Sequence, residues 1–163
     1  MHAAGPIRSE HSYSEGGVVQ TKTVDDFAPP DQLQETAESP QVGRTITVLV
    51  SGQAAWSIVK SRDGSQDPPR SFSGQAYLDS ASQYGLPRDP ATACKTEGSE
   101  LHLTWKADNG KQFQEIVARA DAQTHILIAI DGAIKRKDGT VESEDHTTFK
   151  SIAAFTVTPP KAP

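Results

Sequence analysis

The residues of this sequence best placed for chemistry are Asp131 and His146, which lie in two segments that the turn pair Asp138-Gly139 would join as a hairpin. If Lys137 pairs with Thr140, counting back along both strands sets Asp131 directly opposite His146. A histidine oriented by a carboxylate can act as a general base, and an imidazole with carboxylates can ligate a divalent metal. We therefore take this pair as the candidate catalytic site.

A structural role for the same pair is the stronger interpretation. The same register places Lys135 across from Glu142, which is the arrangement of a solvent-facing ladder of opposite charges. The other histidines are scattered and form no close ligand pair, so neither a metal site nor a cofactor is predicted. No nucleophile elbow, phosphate-binding glycine loop or dinucleotide fingerprint occurs in the sequence. These absences favour a binding protein over an enzyme.

The elements that would position the pair are strands, because apolar residues recur at every second position in several runs. The longest run extends from Arg44 to Lys60, and as one strand it would measure about 50 Å, so we expect it to bend at Gly52. Gly74 and Gly132 occupy equivalent positions in two further runs. The fold class predicted from this pattern is all-β: a strongly curved antiparallel sheet, closed as a small calycin-like barrel or folded as a β-sandwich.

The domain organisation is predicted from shifts in composition. Residues 1–43 are rich in Ser, Glu, Gln, Gly and Pro and are interpreted as a flexible or partly docked N-terminal arm, in which Asp31 would cap a short helix carrying Leu33 and Ala37. Residues 44–160 form the single barrel or sandwich domain, and residues 161–163 form a tail. The stretch from Asp79 to Ser99 is predicted to be a long connecting loop.

A second hairpin is predicted at Asn109-Gly110, where a strand ending near Trp105 would return through Ile116. A helix over residues 111–120 is the competing interpretation, because Phe113 and Ile116 also fit helical spacing and the polar residues around them are good helix formers. The turn pair favours the strand.

Charge and composition restrict the partners. The formal charge of -5 argues against nucleic-acid binding, and the one basic cluster, Lys135 to Lys137, is interpreted as a solvated hairpin tip. No segment is apolar enough for a membrane span, and Cys94 is the only cysteine. The compartment stays open between the cytoplasm and export with a signal peptide that is missing from this sequence. The oligomeric state also stays open.

The large aromatic side chains are the candidate ligand-binding residues, since inward-facing glycines beside them would leave an apolar pocket. They are Trp56, Tyr77, Tyr84, Trp105 and Phe149. The function predicted is therefore that of a non-catalytic, β-rich binding domain for a small apolar molecule or a protein partner. One alternative is a small, cofactor-free β-barrel enzyme of the cyclase or isomerase type that shapes a substrate in an apolar cavity. A second alternative is an inhibitor or assembly subunit.

Overall fold

The residues that the structure describes form antiparallel strands and one short helix, so the all-β prediction is confirmed. The computed structural model describes residues 5–81, 86–87 and 89–160, with the side chains of 79–81 left undescribed. The elements are β1 Ile7–Glu15, β2 Val18–Ala28, β3 Gln32–Ser39, β4 Arg44–Ser51, β5 Ala54–Ser61, β6 Arg70–Ser73, α1 Gly74–Ala81, β7 Ala93–Glu97, β8 Glu100–Asp108, β9 Gln112–Asp121, β10 Leu127–Arg136 and β11 Val141–Ser151.

The strands follow the order β6-β5-β4-β3-β2-β1-β11-β10-β9-β8-β7. This order has two ends, β6 and β7, and a closed barrel would have none. The described strands therefore do not form the predicted barrel, while the sandwich and the strong curvature stay predictions. Within the described residues, the one helix is too short and too polar to cross a membrane.

The chain divides into two compact units. We call the described part of residues 2–10, 21–85 and 150–163 the helix-covered unit, because it contains α1. We call the described part of residues 11–20 and 86–149 the hairpin unit, because it is formed mainly by the hairpins β8–β9 and β10–β11.

In the helix-covered unit, the expected long strand from Arg44 to Lys60 is a hairpin. Ser51 pairs with Ala54, so Gly52 and Gln53 form a two-residue turn between β4 and β5. Gly52 has φ 61°, as required of a glycine at the first position of such a turn. The prediction that Gly52 bends a continuous strand was therefore wrong. A turn of two residues leaves the every-second-residue pattern of the sequence intact, so the pattern does not reveal where one strand ends and the next begins.

The hairpin also changes which residues share a face. Val50 pairs with Ala55, whereas Trp56 pairs with Leu49, so Trp56 lies on the face opposite Val50 and not on the same face as predicted. The buried cluster of this unit contains Leu33, Val48, Val50 and Ala55. The sequence contained one sign of this arrangement: Leu49 is apolar although it alternates with Val48 and Val50, and it pairs with Trp56 on the other face.

The helix α1 covers this buried cluster. Gly74 is its first residue, and the hydroxyl of Ser73 accepts a hydrogen bond from the Ala76 amide at 3.4 Å, as an N-cap serine does. Tyr77 and Leu78 pack against the cluster. The run around Gly74, which was predicted to be one strand, is therefore the short strand β6 followed by α1.

The segment predicted as an N-terminal arm contains three strands, β1 to β3. Asp31 and Leu33 do not begin a helix. Leu33 lies in β3 and pairs with Phe27 on one side and with Val50 on the other. Leu33 and Ala37, the apolar residues of this strand, are four positions apart and therefore share one face of the sheet. The predicted long loop from Asp79 to Ser99 likewise contains the end of α1 and the strand β7.

In the hairpin unit, the strand interpretation of residues 111–120 is confirmed. β8 and β9 are antiparallel, with Asp108 paired to Phe113 and Trp105 paired to Ile116. The side chain of Asn109 accepts hydrogen bonds from the amides of Lys111 and Gln112 at 3.0 and 2.9 Å, which fixes the turn. The turn pair thus decided correctly between strand and helix.

The β10–β11 hairpin reaches the predicted register through a different turn. Arg136 and Thr140 are bonded across a three-residue loop that ends at Gly139, with φ 88°, and Lys135 pairs with Val141 instead of Glu142. A bulge at Glu142 then absorbs one residue, because Ile134 pairs with Ser143. The extra loop residue and the bulge compensate each other, so Asp131 lies opposite His146 as predicted.

Candidate functional site

The predicted pair of Asp131 and His146 lies on one face of the hairpin unit. His146 Nδ1 and Asp131 Oδ1 are hydrogen-bonded across β10 and β11. The side chain of Asp131 is 43% exposed and that of His146 is 50% exposed, so the pair is in contact with water. The bond orients the imidazole as a general base would require, but the exposure favours the structural interpretation.

A ladder of alternating charges extends from this pair across the unit. Arg119 of β9 lies 3.7 Å from Asp131 and 3.6 Å from Glu100. Glu100 lies 3.3 Å from His102 in turn. Acidic side chains therefore alternate with arginine and histidine along the face that carries the pair, which we call the polar face, as the sequence predicted for a solvent-facing ladder. The predicted contact between Lys135 and Glu142 is replaced by a pair of Arg136 with Glu142 at 2.5 Å.

A shallow depression lies beside the pair. Its volume is 370 Å³, and it is lined by Ser12, Ser14, Glu115, Val117, Asp131, Gly132, Ala133, Glu144, Asp145 and His146. A hydrogen bond from Lys106 holds the pKa of Glu115 below its ordinary value, so this carboxylate is charged. No group of three or more potential metal ligands is present among the described residues. The depression is suited to polar contacts with solvent or a polar ligand.

Of the five predicted ligand-binding aromatic residues, the four that the structure describes are divided between the two units. Tyr77 packs over the buried cluster of the helix-covered unit, where its ring meets Phe72 edge-on at 5.6 Å and its hydroxyl donates to Glu35 at 2.5 Å. Trp56 belongs to the same unit and lies on the opposite face of its strands. In the hairpin unit, Trp105 donates from Nε1 to the carbonyl of Asp89 at 2.8 Å. Phe149 is half-buried in β11, and Tyr84 lies outside the described residues.

The other face of the hairpin unit carries most of its large aliphatic side chains, and we call it the apolar face. Strand pairing places three rows on it, each crossing β8, β9 and β10. The rows are Trp105–Ile116–Gly132, Leu103–Ala118–Ile130 and Leu101–Ala120–Leu127.

In two of the three rows, an alanine of β9 lies between larger residues of β8 and β10. Ala118 and Ala120 are only 1% and 3% exposed. The flanking Leu103 and Ile130 are half-buried. The sequence analysis recognised these residues as strand residues but did not assign them a site, because the Asn109-Gly110 turn identified the hairpin and not the pairing of Trp105 with Ile116.

Comparison with known proteins does not assign this chain to a family. No protein-family model matches it, and no curated protein is similar to it in sequence.

Proposed function

We propose that this chain is a non-catalytic binding protein and that a protein partner packs against the apolar face of the hairpin unit. The observation that carries the proposal is the set of half-buried large side chains around the buried Ala118 and Ala120. A sheet with an apolar face is stabilised when another layer covers that face. A partner with apolar side chains would supply such a layer.

The form of this surface favours a protein over a small apolar molecule. Small-molecule sites are concave and enclose most of the ligand. The apolar face is instead one side of the three neighbouring strands β8, β9 and β10. The two depressions described, of 730 and 370 Å³, are lined by neither an aromatic side chain nor Leu or Ile. The same fact disfavours a cyclase or isomerase that would need an apolar cavity.

Site-specific photocrosslinking tests the proposal. A photoreactive phenylalanine derivative replaces Trp105 on the apolar face or, as a matched control, Thr104 on the polar face of the same strand. In extracts of the source cells, we expect one protein to be crosslinked in high yield from position 105 and not from position 104. Equal crosslinking from both positions, or none from position 105, would contradict the proposal.

A pair of substitutions connects that crosslink to the apolar face. Ile116→Lys and Val117→Lys change adjacent half-buried residues of β9 that point to opposite faces. Ile116→Lys is expected to weaken the complex at least about tenfold, because it places a charge in the interface. Val117→Lys is expected to leave the affinity within about twofold. Circular dichroism checks that both variants are folded, and a complex that survives Ile116→Lys would refute the assignment of the surface.

A further inference from the structure

We propose that the adjoining tips of the two hairpins in the hairpin unit bind a phosphate group through Lys111 and Lys137. Gln112 of β9 pairs with Arg136 of β10, so the β8–β9 and β10–β11 loops lie side by side at one end of the strands. A depression of 730 Å³ lies there. It is lined by Asn109, Lys111, Gln112, Arg136, Lys137, Asp138 and Glu142.

The two lysines differ from the other cations described in this unit. Each of the others has a carboxylate oxygen within 4.0 Å: Lys95, Lys106, Arg119, Lys135 and Arg136. Among the described residues, no such ion pair is formed by Lys111 or Lys137, and both line the same depression. Two ammonium groups without ion-pair partners in one depression attract an anion with more than one negative charge.

The carboxylates beside the lysines are occupied by other donors. Glu142 accepts from Arg136 at Oε1 and from Gln112 at Oε2, so both of its oxygens are engaged. Asp138 accepts from the amide of Thr140 at 2.9 Å, and hydrogen bonds from that backbone and side chain hold the pKa of Asp138 below its ordinary value. Three basic side chains against two carboxylates therefore line the depression, and neither carboxylate forms an ion pair with Lys111 or Lys137.

The ligand chemistry follows from the donors available. The amides of Gly110 and Lys111 already donate to Asp108 and Asn109, at 2.7 and 3.0 Å. The anion would therefore be bound by flexible ammonium groups acting as point charges and not by a rigid cradle of backbone amides. Such a site selects charge more than shape, so it accepts inorganic phosphate or the terminal phosphate of a small ester.

The site is tested by titrating the protein with inorganic phosphate and following the amide signals in two-dimensional NMR spectra. A titration with chloride at the same ionic strength is the control. We expect saturable shifts confined to residues 109–112 and 136–142. Glycerol phosphate forms the second arm: equal affinity would identify the free dianionic group as the ligand, and tighter binding would identify an ester. Shifts that do not saturate, or that chloride reproduces, would overturn the proposal.

Charge-matched variants assign the binding to the two lysines. Lys111→Gln and Lys137→Gln are each expected to weaken phosphate binding by about tenfold, and the double variant to abolish it. Lys60→Gln, which removes the same charge from an exposed position of the helix-covered unit, should leave the affinity unchanged. Binding that persists in the double variant, or that Lys60→Gln weakens equally, would overturn the assignment. The photocrosslinking experiment above tests the apolar face independently.

Discussion

The two units each carry an apolar strand face, and they differ in what lies on it. In the helix-covered unit, Tyr77 and Leu78 of α1 pack on the face, and Val50 and Ala55 are both 0% exposed. In the hairpin unit, the described residues that are fully buried are alanines, and the larger side chains are half-buried. Similar strand sequences thus give a closed core beneath α1 and a candidate binding surface in the unit whose described residues form no helix.

The largest expected effect comes from the same substitution made on each of these faces. Leu33→Ala removes a side chain that is 6% exposed from the cluster beneath α1 and should lower the free energy of unfolding by about 3 kcal/mol. Leu103→Ala removes the same atoms from the half-buried apolar face and should cost about 1 kcal/mol.

Urea unfolding followed by tryptophan fluorescence measures the two effects separately, because each unit contains one of the two tryptophans. Trp105→Phe leaves Trp56 as the probe of the helix-covered unit, and Trp56→Phe leaves Trp105 as the probe of the hairpin unit. If Leu103→Ala costs as much as Leu33→Ala, the apolar face is as tightly covered as the core, and the contrast between the units fails.

An intermediate loss of stability is expected when Gly74 is replaced by alanine, and Gly132, which holds an equivalent position in the sequence pattern, provides the comparison. A Cβ at Gly74 would lie 2.6 Å from the carbonyl oxygen of Gly52 and 2.9 Å from that of Ala54. Both contacts involve backbone, which cannot move aside easily, so Gly74→Ala should destabilise the helix-covered unit by about 2 kcal/mol.

Gly132→Ala is the control in the hairpin unit. Its Cβ would meet Asp145 Cβ at an ordinary 3.4 Å, so stability should stay unchanged or rise by about 0.5 kcal/mol. The same fluorescence assay reads both variants. Equal losses at the two positions would mean that both glycines serve the same purpose, as the sequence pattern suggested.

These glycines show what could be predicted from the sequence. Alternation predicts that a segment is a strand, because it reflects which side chains are buried. It cannot locate a two-residue turn inside an apolar run, so Gly52 was interpreted as a bend within one strand. Nor does it distinguish the start of α1 from a continued strand at Gly74, because eight residues give too little helical periodicity.

The candidate site was predictable where turn chemistry determined the register. Asp138-Gly139 placed Asp131 opposite His146, and Asn109-Gly110 identified residues 111–120 as a strand, although not its register with β8. The positions of the predicted aromatic ligand-binding residues were less predictable, because they depend on contacts between elements distant in sequence. Trp56 and Tyr77 lie on opposite faces only because of the turn at Gly52.

The smallest expected effect compares two ion-paired carboxylates, one in each unit. A hydrogen bond from Arg8 holds the pKa of Asp26 below its ordinary value, and Lys106 does the same for Glu115. A lowered native pKa means that the unfolded chain binds the proton more readily. The stabilisation is therefore complete above about pH 5 and is lost as the pH falls through about 4 and below.

Asp26→Asn should lower stability at pH 7 and flatten its dependence on pH below 5, and Glu115→Gln should do the same more weakly. The reason for the difference is exposure, since the Asp26 side chain is 17% exposed and that of Glu115 is 36% exposed. Water screens the more exposed pair more strongly. Urea midpoints between pH 3 and 7 in the two single-tryptophan proteins measure both slopes. A steeper loss for Glu115→Gln would show that the hairpin unit relies more on the pair of Lys106 with Glu115 than the helix-covered unit relies on the pair of Arg8 with Asp26.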